Sequence, residues 1–186
     1  MLSSKILSDS IISKIRGSTN MVQTHTTIAN EIEFHILNYG QLNNVFYNGL
    51  IASGTSTIPD PLNGYFNFRI AKLKINPNAL INSVLNKTDM NLLDVWLNSI
   101  FQEIENTLEI IGSDITSTIT LLSPIKIISI NKIGNFTSSQ FENNMEQIAS
   151  IIIDSIKNAT LTPSVNAKSI SPTYISGIAL VTMTIS

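Results

Sequence analysis

The chain reads as an α+β protein, antiparallel β hairpins packed with two or three amphipathic helices, and three observations predict this class. Apolar residues recur every three or four positions over several segments, the period of a helix with one buried face. Between those segments apolar and polar residues alternate, the period of a half-buried strand. Pro, Gly and Asn punctuate the strand-like stretches at short range, which suits hairpins rather than the long crossovers of a parallel sheet. At 186 residues the chain suits one hydrophobic core. A single domain over 1–186 is therefore expected, with 1–17 as an N-terminal helical arm.

Taken in order, Ser3 to Arg16 places Ile6, Leu7, Ile11, Ile12 and Ile15 along one helical stripe and stops at Gly17. A second helix follows Thr24, with Ile28, Ala29, Ile32, Ile36 and Tyr39 on one face and Gly40 where a left-handed C-cap is wanted. The next run mixes aromatic and branched residues around Asn48-Gly49, a hairpin-turn dipeptide, and ends in a corner, Pro59 to Gly64. Phe66, Phe68 and Ile70 then alternate with Asn67 and Arg69, as on a strand running to Ile75, and Asn76-Pro77 opens a short helical turn through Leu85.

The longest helix is predicted within 89–111, where Leu93, Leu97, Ile100, Ile104, Leu108 and Ile111 keep helical spacing and Gly112 closes the segment. Two strands, 115–122 and 125–133, are expected around Ser123-Pro124. A capping box, Ser139 with Glu142, then predicts a helix to Lys157. Two further strands, 161–170 and 176–185, complete the chain. Helix followed by β segment thus recurs near 24–58, 89–133 and 139–186, either an internal helix–hairpin repeat or alternation by chance.

Composition narrows the function. Charged residues are 13% of the chain, against roughly 25% in ordinary soluble domains. Such a surface is either coated with Ser, Thr and Asn or covered by other chains, and interface cores are where charge is depleted. A net charge of −2 excludes a broad electrostatic footprint for nucleic acid. No stretch reaches the roughly 20 apolar residues of a membrane span. No continuous apolar segment near residue 1 resembles a signal peptide, so folding in a cytoplasm is expected.

Chemical sites were sought by spacing. With no cysteine there is no thiolate metal site or cysteine nucleophile, and His25 and His35 are too far apart for an i, i+4 metal pair. Gly54-Thr55-Ser56-Thr57-Ile58 lacks the second glycine of a serine-hydrolase elbow, and no phosphate-binding glycine motif occurs. Carboxylates two apart, Glu31 with Glu33 and Glu103 with Glu105, point to different sides of a helix and read as solvated faces. Neither enzyme activity, cofactor nor metal is expected. His35 reads as a boundary residue beside its helix's apolar stripe.

Two features suggest contact surfaces instead. Phe46, Tyr47, Tyr65, Phe66 and Phe68, with Arg69 beside them, flank the Pro59 to Gly64 corner and form either a local core under it or an interface anchor, where aromatics and Arg carry binding energy. Only Asp60 is charged between Asn43 and Phe68, and only Lys168 between Ala159 and Ser186. Strand edges so poorly guarded invite pairing with another chain, and Ile178 and Leu180 on the last strand are the expected contacts.

The stretches SKILSDSIISKI, TTIANEIEFHIL with LIASGTSTIPDPLNG after it, and the charge-free ISGIALVTMTIS resemble, in layout and composition, small accessory structural proteins of tailed bacteriophage virions. Ile and Asn together exceed a quarter of the chain, as AT-rich coding gives. The resemblance implies an assembly subunit at the neck, tail or baseplate of a virion assembled in the host cytoplasm. Its partners would be copies of itself and other structural proteins, without recognition of a nucleic-acid sequence. The alternatives are a ligand- or glycan-binding module with its aromatics in an exposed groove, or an enzyme of unrecognised type drawing on His35 and Asp60.

Overall fold

A computed structural model describes residues 1–42, 45–53, 60–85, 87, 92–114, 119–121, 130–133, 144–159, 164–169, 175–180 and 184–186. Among the described residues the chain forms five helices: α1 (Ser4–Ile15), α2 (Met21–Tyr39), α3 (Pro77–Val84), α4 (Leu92–Thr107) and α5 (Met145–Lys157). Six strands accompany them: β1 (Val45–Ser53), β2 (Asp60–Lys72), β3 (Glu109–Asp114), β4 (Ile119–Leu121), β5 (Ser164–Ser169) and β6 (Ile175–Leu180).

Helix starts follow local chemistry. Ser3 caps α1 by accepting the Ile6 N–H, and Asn20 caps α2 by accepting the Gln23 N–H at 2.9 Å. Asn76 accepts the Asn78 N–H ahead of Pro77, whose missing N–H costs nothing in the first turn of α3. The apolar stripes then meet. Leu7 and Ile11 of α1, Ile28, Ile32 and Ile36 of α2, Leu80 of α3, Leu97, Ile100 and Ile104 of α4, and Ile148, Ile152 and Ile156 of α5 belong to one buried cluster. Within it α1 packs on α5 and α2, and α3 lies against both α2 and α4.

The strands form a closed antiparallel barrel in chain order, β6 returning to β1. β1 pairs with β2 from Val45 opposite Phe66 to Ile51 opposite Asp60, and β6 pairs with β1 from Asn48 opposite Leu180 to Ser53 opposite Ile175. The barrel joins the helical core through its β2–β3 end, where Leu73, Ile75 and Ile110 are buried, and through the C-terminus, where Ile185 bridges Leu42.

These observations correct the α+β expectation of hairpins packed with two or three amphipathic helices. Five helices supply most of the described core, and the strands are staves of one closed barrel. In the spans 24–58, 89–133 and 139–186 the order runs α2–β1–β2, α4–β3–β4 and α5–β5–β6, with α3 as an extra helix before α4, but the strand pairs join one barrel instead of standing as separate hairpins. The physical reason is that strand partners are chosen across the whole sheet, which local period cannot report.

Particular elements moved as well. α2, with 19 residues, exceeds α4, with 16. α4 ends at Thr107, where the Thr107 hydroxyl donates to the Glu103 carbonyl, while Ile111 and Gly112 lie in β3 opposite Arg69 and Phe68. Asn48-Gly49 is no turn but mid-strand in β1, paired on both sides. Asp60 to Gly64 is the start of β2, and Pro61, which cannot donate a ladder hydrogen bond, sits outside the stretch where β2 pairs with β3. Gly40 is extended, with φ −70° and ψ 123°, and caps no left-handed turn. Residues 130–133 are not strand, and the Ser139–Glu142 capping box lies outside the described residues.

Candidate interaction surface

The expected contact residues lie on three strands of the barrel, the aromatics and Arg69 on the paired strands β1 and β2, and Ile178 and Leu180 on β6. Tyr47 lies on β1 opposite Gly64, and Tyr65 and Phe66 lie on β2 opposite Phe46 and Val45. Phe68 pairs with Gly112, and Arg69, opposite Ile111, is exposed. They follow consecutive strand positions and surround no corner. Ile178 stands between Leu50 of β1 and Asn166 of β5, and Leu180 between Asn48 and Ser164. At Ile178 and Leu180 both edges of β6 are therefore paired, by β1 on one side and β5 on the other. Closure removes edges altogether.

Among the described residues α2 carries a long uncharged surface. Its exposed residues are Met21, Val22, Gln23, Asn30, Phe34, Leu37, Asn38 and Tyr39, and none is charged. Phe34 is 54% exposed and meets the Tyr39 ring edge-on at 6.3 Å between centroids. Phe34 is two residues from Ile32 and from Ile36, about 200° round the helix from each, so it faces away from the stripe that builds the core. That offset is visible in the sequence and is the signal that distinguishes Phe34 from a core aromatic. By contrast α1 exposes Lys5, Asp9 and Lys14, and Lys5 pairs with Asp9 at 3.2 Å.

The acidic residues of α2 do not face water. The Glu31 carboxylate is buried, accepting from the Ser10 hydroxyl and from Lys14 Nζ, each at 2.5 Å. Glu33 accepts the Ile75 N–H at 2.6 Å and pairs with Lys74. On α4, Glu103 accepts the Asn76 N–H at 2.9 Å and Glu105 accepts the Ile130 N–H. The reading of these positions as solvated faces is thereby corrected: each carboxylate binds a distant backbone amide or an ion pair. The Ile75 and Ile130 amides are partly screened from water and need partners, and Glu33 and Glu105 supply them.

The histidines have separate surroundings. His25 hydrogen-bonds the Met21 carbonyl through Nδ1 at 2.9 Å and meets Trp96 edge-on at 6.1 Å. His35 is buried at 2% exposure, not a boundary residue, and its Nε2 accepts the Ser3 N–H at 3.0 Å. Burial, first, and the N-terminal ammonium, second, hold its pKa below the ordinary 6.5, against an opposing pull from Glu31. Among the described residues no three His, Asp or Glu side chains gather as metal ligands. A wide depression at the start of α2 is lined by Asn20, Met21, Val22, Gln23 and Thr26. Its polar groups are partly committed, since Gln23 Oε1 accepts from both the Thr19 N–H and the Thr19 hydroxyl.

No family model, curated protein or solved structure matches the chain. Among the described residues no helix is long and apolar enough to cross a membrane.

Proposed function

We propose that this protein is a structural subunit that works by assembling with other copies of itself or with other structural proteins, of the kind that forms the neck, tail or baseplate of a tailed-phage virion. The observation that carries the assembly reading is the exposed face of α2, uncharged from Met21 to Tyr39, on which Met21, Val22, Phe34, Leu37 and Tyr39 are apolar or aromatic and Gln23, Asn30 and Asn38 are polar. Interfaces combine aromatic anchors with uncharged polar side chains in this way at a charge-poor centre. The virion setting rests on the layout and composition of the sequence alone.

The test is the native mass of the full chain by light scattering and native mass spectrometry, at rising concentration, for wild type and for Phe34→Asp with Leu37→Asp. A specific interface of about 800 Å² per partner gives a defined oligomer. The double variant should shift it to monomer, keep a native circular dichroism spectrum, and lose the rise of melting temperature with concentration that assembly gives the wild type. A wild-type monomer at every concentration, with no bound partner in its native source, overturns the reading.

A further inference from the structure

We propose that the Ser3 amide and the His35 imidazole form a proton-sensitive latch, which holds residues 1–3 on α2 while His35 is neutral and releases them when Nε2 is protonated. The geometry sets the polarity. A backbone N–H only donates, so at 3.0 Å from Ser3 N the His35 Nε2 must present its lone pair, and the ring proton sits on Nδ1. A second proton on Nε2 would place two N–H groups head to head in a buried site.

The latch matters because Ser3 is also the cap of α1. Its Oγ accepts the Ile6 N–H at 3.4 Å, its carbonyl accepts the Leu7 N–H at 3.1 Å, and Leu2 before it is buried at 2% exposure. Losing the Ser3–His35 bond therefore frees the Leu2 side chain and the first turn of α1 together. The rest of α1 stays anchored by Leu7 and Ile11 in the core and by Lys14 on Glu31. Among the described residues the charged groups acting on His35 are the N-terminal ammonium, from the segment in front of α1, and Glu31, one turn earlier on α2. Lys14 of α1 neutralises Glu31, and the Tyr39 ring lies 5.0 Å from the imidazole.

The direction of the response follows. The docked imidazole has a pKa lowered below 6.5, while the released one regains the ordinary value. Between the two, the released state binds more protons, so docking is complete above 6.5 and weakens as the pH falls through that window. One proton allows at most about a tenfold change per pH unit.

The experiment is an NMR titration of the full chain from neutral to acid pH, following the His35 ring signals and hydrogen exchange at the Ser3 amide. After correction for intrinsic exchange, Ser3 protection should fall by up to about tenfold per pH unit with the midpoint of His35, while the Ile32 amide stays protected. His35→Gln, which offers a neutral acceptor at all pH values, should remove the dependence, and His25→Gln should keep it. Should His35→Gln fail to fold, the wild-type midpoints decide alone. Ser3 protection that ignores pH, that departs from the His35 midpoint, or that keeps its dependence in a folded His35→Gln overturns the latch.

Discussion

The Glu33 carboxylate on α2 accepts the Ile75 backbone N–H at 2.6 Å, 42 residues along the chain, and so fixes the strand exit of β2 against a helix. The Glu33 side chain is 13% exposed, so no water replaces it easily. Glu33→Ala should lower stability by about 1–3 kcal/mol, the cost of a buried donor left without an acceptor, whereas Glu33→Gln keeps an acceptor and should cost less than half of that. Denaturant midpoints measure both. Equal losses in the two variants would mean that the charge on Lys74, not the amide, is what Glu33 serves.

Glu31 makes a different prediction. Its carboxylate is buried while Lys14 is 56% exposed, so the lysine's own contribution is screened and the cost of removing it comes mainly from the charge left behind. Lys14→Met alone should destabilise by about 1–2 kcal/mol, and Lys14→Met with Glu31→Leu should recover part of that loss, because no buried charge remains. A double variant no more stable than Lys14→Met alone would contradict it, and a double-mutant cycle on thermal unfolding gives the answer.

What the sequence discloses about this molecule divides by range. α1 and α3 were legible because each couples an apolar stripe to a local signal, Ser3 or Asn76-Pro77, whose hydrogen bond closes within three residues, whereas α2 was legible in its stripe but begins at Met21 instead of after Thr24, because Asn20 caps it. α4 was overextended because Leu108 and Ile111 continue the apolar spacing of Ile104 past Thr107, although the helix ends there and Ile111 lies in β3. Asn48-Gly49 misled for the opposite reason: the dipeptide favours a turn, and pairing on both sides in the barrel overrides it. Closure of β6 onto β1 joins residues some 130 apart and leaves no local trace.

The candidate surface divides likewise. The carboxylate clasps were illegible, since Glu103 and Glu105 find Asn76 and Ile130 only through the fold. The Phe34 face was legible and overlooked: the helix wheel sets Phe34 opposite Ile32 and Ile36 without any structural knowledge. Attention to turn-flanking aromatics on β1 and β2 drew the expectation to Tyr47, Tyr65, Phe66 and Phe68 instead.

Two glycines test how tightly α2 is joined to the barrel. A Cβ on Gly40 would lie 2.5 Å from the Ile36 carbonyl oxygen, 3.0 Å from Ile70 Cδ1 and 3.4 Å from Ile185 Cγ2. The Gly40 backbone is extended, a conformation any residue adopts, so the obstacle is space and not dihedral angle. The neighbouring atoms have little room to yield, because Ile36 O already accepts the Gly40 N–H at 2.9 Å and Gln41 exchanges two backbone hydrogen bonds with Ser186. Gly40→Ala should therefore cost about 1–3 kcal/mol, as overpacking does, or roughly 2–12 °C in melting temperature for a chain of this size. Gly17, after α1, has its nearest obstacle at 4.0 Å, the Lys14 carbonyl oxygen, so Gly17→Ala meets no clash. By restricting the unfolded chain it should stabilise by about 0.4–1 kcal/mol. The opposite signs are the point of the pair, and thermal unfolding of both variants in one buffer reads them. A Gly40→Ala protein as stable as wild type would show that the junction of α2 with Ile70 and Ile185 is looser than these distances require.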